Sequence, residues 1–196
     1  MDAAAARGGP TWQSRRVTKG PVGRFGRLIE RERKYRLSDA DARALEVKLR
    51  SDGATERREV QESIIFRADH LKKDTIVRLR TIGDQRELTF KGPKKVKGLD
   101  KVREELNVEI GEGPMAEILE ELGFRPVIRY RKESRIFEFD GVLVSIDRLG
   151  GIGTFCEIEV SDLEHDLDAV ATNLGLDESS FEPRGYPAME IGRAHD

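Results

Sequence analysis

Between Leu28 and Val160 the chain is built of short runs in which apolar and polar residues alternate, the pattern of strands with one apolar and one polar face. The first run covers about 28–37. Ser38 then caps a helix over DADARALEVKLR, which Gly53 can end. A second strand is expected at about 59–67; a third, DTIVRLRTI, turns at Gly83-Asp84 into a fourth, RELTFKG. The loop GPKKVKG leads to a fifth strand near 101–110. Pro114 opens a short helix, MAEILEEL, closed by Gly123. A sixth strand runs from about 126 to 139, and Asp140-Gly141 is a two-residue hairpin signal before the seventh, VLVSID. The loop GGIG precedes the eighth, TFCEIEV, and Ser161 with Glu164 forms a capping box for a helix ending near Gly175.

The alternation also says what the strands face. Val77 and Leu79 point one way, Arg78 and Arg80 the other; Leu88 and Phe90 oppose Thr89 and Lys91. Leu106, Val108 and Ile110 oppose Arg103, Glu105 and Asn107. Val144 and Ile146 oppose Ser145 and Asp147, and Cys156 and Ile158 oppose Glu157 and Glu159. Any one strand of this kind suits a half-exposed sheet. The helical stretches 41–50, 115–122 and 162–174, however, carry apolar faces that need a partner. The whole set therefore predicts an α+β fold: an eight-stranded antiparallel closed barrel, helices packed outside on its apolar face, charged residues converging on the lumen. Such a lumen cannot be dry, because each unpaired buried charge would cost several kcal/mol. It must be a wet tunnel for a ligand that is anionic and binds metal, and a polyphosphate with Mg²⁺ or Mn²⁺ meets both conditions.

Composition agrees. Of 196 residues, 37% are charged, against roughly 25% in an average domain, so many charges need a role inside the fold. The net charge of −2 gives no general attraction to nucleic acid or to an anionic membrane. The single cysteine, Cys156, rules out an intramolecular disulfide and reads as a small buried residue. Residues 1–27 carry Arg7, Arg15, Arg16, Lys19, Arg24 and Arg27 against only Asp2, without apolar period, and read as a disordered basic tail before a domain over 28–192. No run of 18 apolar residues and no apolar signal core is present, so a cytoplasmic protein is expected. His70, His165 and His195 are scattered, and no P-loop or GxSxG pattern occurs.

The sharpest motif is Glu30-Arg31-Glu32-Arg33-Lys34. Period two puts Glu30, Glu32 and Lys34 on one strand face. Two carboxylates about 7 Å apart can share a hard cation directly or through its waters, and a lysine one step on can hold a phosphate oxygen.

In order along the chain, IERERKY, VRLRT, LTFKGPK, KVREELNVEI, ILEELGF, VSIDRLGGIGTFCEIEV and, loosely, RGYPAMEI resemble the CYTH family of triphosphate tunnel metalloenzymes, over about 28–191. The likeness is nearest to the class IV adenylate cyclase-like, thiamine triphosphatase-like group. It implies an eight-stranded tunnel and metal-dependent chemistry on a triphosphate: hydrolysis in some members, cyclisation of ATP to cyclic AMP and pyrophosphate in others. Carried over to this chain, it places Lys34, Arg78, Arg80, Lys91, Arg103 and Lys132 on phosphate oxygens. Glu30, Glu32, Asp147, Glu157 and Glu159 then hold one or two Mg²⁺ or Mn²⁺ ions, and Glu32, Glu105 and Lys34 are the catalytic candidates.

The chain departs from the pattern before the Asp147 strand, where Ser134 falls on the position of an arginine and Arg135 comes one residue late. A bulge could turn Arg135 into the lumen as a phosphate ligand, Arg129 and Arg131 could take over, or a contact is lost. Asn107 stands where a second acid often follows. ATP, inorganic triphosphate and thiamine triphosphate present the same phosphates, so the substrate stays open. A non-catalytic polyphosphate- or nucleotide-binding module is the other reading, and on either reading a monomer or homodimer is expected.

Overall fold

The structure, a computed structural model, describes residues 26–139 and 141–194. The expected basic tail, apart from Gly26 and Arg27, and Asp140 of the hairpin signal lie outside the described residues. Nine strands run in chain order as β1 (Gly26–Leu37), β2 (Thr55–Arg67), β3 (Ile76–Ile82), β4 (Gln85–Lys91), β5 (Lys95–Lys97), β6 (Asp100–Ile110), β7 (Arg125–Phe139), β8 (Val142–Leu149) and β9 (Gly153–Val160). The order around the sheet is β1-β9-β8-β7-β2-β3-β4-β6, and β6 returns to pair with β1, so eight antiparallel strands close into a barrel. The short β5, inside the GPKKVKG loop, hangs on β6.

Helix α1 (Asp39–Ser51) follows from its ends: Ser38 Oγ accepts from the Asp41 N–H at 3.1 Å, and Gly53 leaves it at φ 81°. Ala42, Leu45 and Leu49 bury its inner face on Phe137, Val144, Ile146, Cys156 and Ile158. Helix α2 (Met115–Glu121) sets Leu119 on Phe66, Val77 and Leu79. The apolar faces of the strands therefore point outward, into helices, as the alternation requires. Helix α2 covers β2–β4, while Leu106 and Val108 of β6 remain partly exposed.

Helix α3 (Leu167–Asn173) starts later than expected, and its cap is Asp166, whose carboxylate accepts from the Asp168 and Ala169 N–H groups. Ser161 does not cap it. Asp162 instead turns the chain by accepting from the Glu164 and His165 N–H groups at 3.0 and 3.1 Å, which leaves the His165 carbonyl to Arg31 at 2.7 Å. A fourth helix, α4 (Tyr186–Arg193), was not foreseen; its Tyr186 and Met189 pack on Leu149 and Phe155 at one end of the barrel. Among the described residues no helix is long and apolar enough to cross a membrane.

Candidate functional site

Strand periodicity builds the site. In β1 the arginines of the ERERK run, Arg31 and Arg33, face outward to Asp100, while Glu30, Glu32 and Lys34 face the lumen. The same rule turns Arg78 and Arg80 of β3, Glu87 and Lys91 of β4, Lys101, Arg103, Glu105 and Asn107 of β6, Lys132 of β7, Ser145 of β8, and Glu157 and Glu159 of β9 inward. They surround a cavity of about 250 Å³. Nine lysines and arginines and seven glutamates line it, which leaves two positive charges over.

Near the middle of β1, the Lys91 amine sits between Glu30, at 2.5 Å, and Glu105, at 3.0 Å. Burial works against its charge, but Glu105 and Glu30 together outweigh burial and raise its pKa above the ordinary lysine value. Asn107 donates to Glu105 at 2.7 Å.

On the β3 wall Arg80 donates to Glu87 at 2.6 Å and to Gln61 at 3.3 Å, and Arg78 donates to Thr89 at 3.2 Å. Burial pushes the Glu87 carboxyl up, but Arg80 and Arg78 overcome that and hold it below the usual range. One glutamate thus serves two guanidiniums. The Nε of both arginines is buried and has no partner. A buried donor on a charged group left in that state costs more than about 1–3 kcal/mol, so this wall suits an anion with several acceptor oxygens.

The far end is closed by the chain after α3. Tyr186 lies against Lys34, whose amine is 3.5 Å above its ring, and Lys34 also reaches Glu157 at 3.0 Å and the Arg184 carbonyl at 3.2 Å. Asp147 is fully buried here. It accepts from Lys132 at 2.9 Å, Ser134 at 2.6 Å, Tyr186 at 2.6 Å and Ser145 at 3.3 Å. Burial raises its pKa, with Lys132 opposing.

The expected site residues therefore separate. Lys34, Arg78, Arg80, Lys91, Arg103, Lys132, Glu30, Glu32, Glu105, Glu157 and Glu159 all line one lumen. Arg103 is held at its edge by the Asp74 and Gly92 carbonyls, at 3.0 and 3.4 Å. Arg135 does not join them. The β7–β8 register runs without a bulge, pairing Ser134 with Asp147 and Arg135 with Ile146, so Arg135 faces out and binds Glu46 of α1. Arg131 pairs with Glu133 on the outer surface and does not replace it. Asp147 turns inward as expected, and its oxygens accept from four protein donors. Glu157 is likewise taken up by Lys34 and Lys132; burial pushes it up, and these two cations hold it well below the carboxylate range.

The first-strand acid Glu32 and its cross-strand neighbour Glu159 face the same lumen. Glu32 is the direct cross-strand partner of Glu159 on one side and of Lys101 on the other. Two carboxylates so opposed favour a shared cation, beyond the Lys101 amine 3.5 Å from Glu32. Among the described residues no three acids or histidines are gathered to hold a metal. A pair is what Mg²⁺ or Mn²⁺ needs when substrate phosphates complete the shell, so the donor set fits such an ion.

Several lumen residues went unassigned in the sequence, among them Arg57, Glu59, Gln61, Glu87, Lys101 and Tyr186. Glu87 and Lys101 each keep the parity of a recognised neighbour, Lys91 and Arg103, and that parity was the available signal.

Comparison with known proteins extends these observations. The model of the CYTH domain matches residues 28–186. A candidate adenylate cyclase of Methanocaldococcus jannaschii is 34% identical over 109 residues, 54% of this chain and 62% of that protein, so the match spans less than two thirds of that relative. The adenylate cyclase CyaB of Aeromonas hydrophila is 29% identical over 178 residues, 84% of this chain and 90% of that protein. Among solved structures, a conserved hypothetical protein of Pyrococcus furiosus superposes with a TM-score of 0.70 at 27% identity, covering 82% of this chain and 99% of that one.

Proposed function

The chain belongs to the CYTH family, and on that premise we propose that it hydrolyses a triphosphate inside its tunnel with Mg²⁺ or Mn²⁺ beside the scissile phosphate. The observation that carries the reading is the partnerless Nε of Arg78 and of Arg80, buried side by side in a lumen with surplus positive charge.

Arg78 and Arg80 grip the phosphate chain, and Lys91 and Lys34 flank it from β4 and β1. Glu32 and Glu159 would hold the metal, which when bound supplies charge neutralisation and polarises the phosphoryl oxygens. Glu32 also orients the attacking water. Water oxygen bonds to phosphorus, the phosphoanhydride bond breaks, and the leaving oxyanion is stabilised by the cations already around it. Positioning and electrostatics do most of such a reaction, so a pre-set charged lumen is the main requirement.

Cyclisation of ATP is the second reading, favoured by the names of the two relatives above. It requires adenine and ribose held firmly enough to bring the 3′-hydroxyl in line with the α-phosphate. The two aromatic rings that line the cavity are Tyr130 and Tyr186, and Tyr186 is occupied at the closed end by Lys34 and Asp147. Tyr130 packs in the same cluster as Tyr186, Leu149 and Phe155, so among the described residues no ring lines the other end to clamp adenine, which favours hydrolysis. Product analysis with ATP and with inorganic triphosphate, each with Mg²⁺ and with Mn²⁺, tests the choice. Phosphate release from both is expected; cyclic AMP and pyrophosphate as main products, with inorganic triphosphate left intact, would establish the second reading.

A further inference from the structure

Lys101 of β6 opens the KVREELNVEI stretch but was given no role in the sequence, yet it is 6% exposed and faces the lumen. Each of the other buried lumen lysines has hydrogen-bond acceptors: Lys34 the Arg184 carbonyl at 3.2 Å, Lys91 the Glu30 oxygens at 2.5 and 2.8 Å, Lys132 the Asp147 oxygen at 2.9 Å. The Lys101 amine has none. Its carboxylate contact is Glu32 Oε1 at 3.5 Å, a charge contact with all three N–H bonds still unmade. An ammonium buried in that state is stabilised by whatever brings it an anionic oxygen.

Register says where that oxygen would be. Lys101 stands opposite Glu32, and Glu32 stands opposite Glu159, so the amine lies beside the carboxylate pair that suits a divalent ion. A phosphate oxygen drawn to that carboxylate pair and its cation would lie within reach of the Lys101 amine. We propose that Lys101 is a further phosphate-holding residue, extending the cationic track of the tunnel from Arg78 and Lys91 toward Lys34. This rests on the triphosphate reading of the same lumen. The competing role is plain neutralisation of Glu32, and the two differ in what they do to phosphate and to metal taken separately.

Calorimetric titration separates them. Wild type and Lys101→Met are titrated with inorganic triphosphate in chelator, and separately with Mn²⁺ alone. The expected result is triphosphate affinity reduced about tenfold or more in the variant, the loss of one charge-assisted contact, with Mn²⁺ bound at least as tightly because Glu32 has lost a competing cation. Lys101→Arg, which keeps the charge, should retain most of the affinity. Unchanged triphosphate affinity in Lys101→Met, with only Mn²⁺ binding or stability altered, would overturn the proposal and leave the tunnel reading standing. Wild type that binds no triphosphate would overturn both. If Lys101→Met does not fold, Lys101→Gln carries the same comparison.

Discussion

Replacing Lys132 by Met should destabilise the protein through Asp147, and the size of the effect can be worked out. Lys132 is 2.9 Å from Asp147, which is fully buried; the remaining donors, Ser134, Ser145 and Tyr186, are neutral. Breaking a buried pair from one side costs about 3–5 kcal/mol. A ceiling comes from protonation: an aspartic acid of ordinary pKa near 3.9 is neutralised at pH 7 for about 4 kcal/mol. Burial already raises the Asp147 pKa, so the variant should take this route, losing about 3–4 kcal/mol at pH 7. The sign in pH follows: a carboxyl with raised folded pKa is harmless below its unfolded pKa and increasingly costly above it, so the deficit should shrink toward zero near pH 4. Urea unfolding across this range measures it, and thermal unfolding should show a drop on the order of 10 °C at neutral pH. Lys132→Met/Asp147→Asn should recover much of the loss. Wild-type stability in Lys132→Met at pH 7, or stabilisation by Mn²⁺ that Asp147→Asn abolishes, would refute the account and return Asp147 to the metal.

Other expectations are direct. Arg78→Ala and Arg80→Ala should each weaken binding of a non-hydrolysable triphosphate by about ten- to hundredfold; an unchanged Kd in both would remove the anion reading of the β3 wall. Glu87, held below the usual carboxylate range, lends stability above its unfolded pKa that is lost as pH falls through its lowered folded value. Glu87→Gln should therefore show a flatter decline in stability below about pH 4.5 than wild type, and parallel acid limbs would contradict the pairing with Arg80 and Arg78. Arg135→Ala should leave triphosphate affinity unchanged while loosening α1 through Glu46, and a weakened Kd would return it to the lumen.

The barrel was legible because most strands keep one apolar and one charged face, as Val77 and Leu79 against Arg78 and Arg80 do. Strand β2 was not: TERREVQES is polar on both faces, so that Arg57, Glu59 and Gln61 turn inward is decided by cross-strand register and not by hydrophobicity. Counting from Asp147 placed Lys132 correctly in the lumen, and the same parity, had it been trusted, excludes Arg135. The closed end was hidden for another reason. Tyr186 joins Asp147 and Lys34 across 39 and 152 residues of chain, and no local pattern carries a contact of that range. The donors around Asp147 were hidden with it, since an inward acid looks the same in sequence whether it meets a cation from solution or four donors from the fold.

The central claim is that this lumen cleaves a triphosphate by means of a metal set at Glu32. Phosphate release from inorganic triphosphate, followed in wild type and in folded Glu32→Gln with Mg²⁺ or Mn²⁺ and with excess chelator, tests it most directly. The account predicts turnover in wild type that requires the ion and falls by about a hundredfold or more in Glu32→Gln. Turnover that survives the chelator, or that is equal in the two proteins, would contradict it.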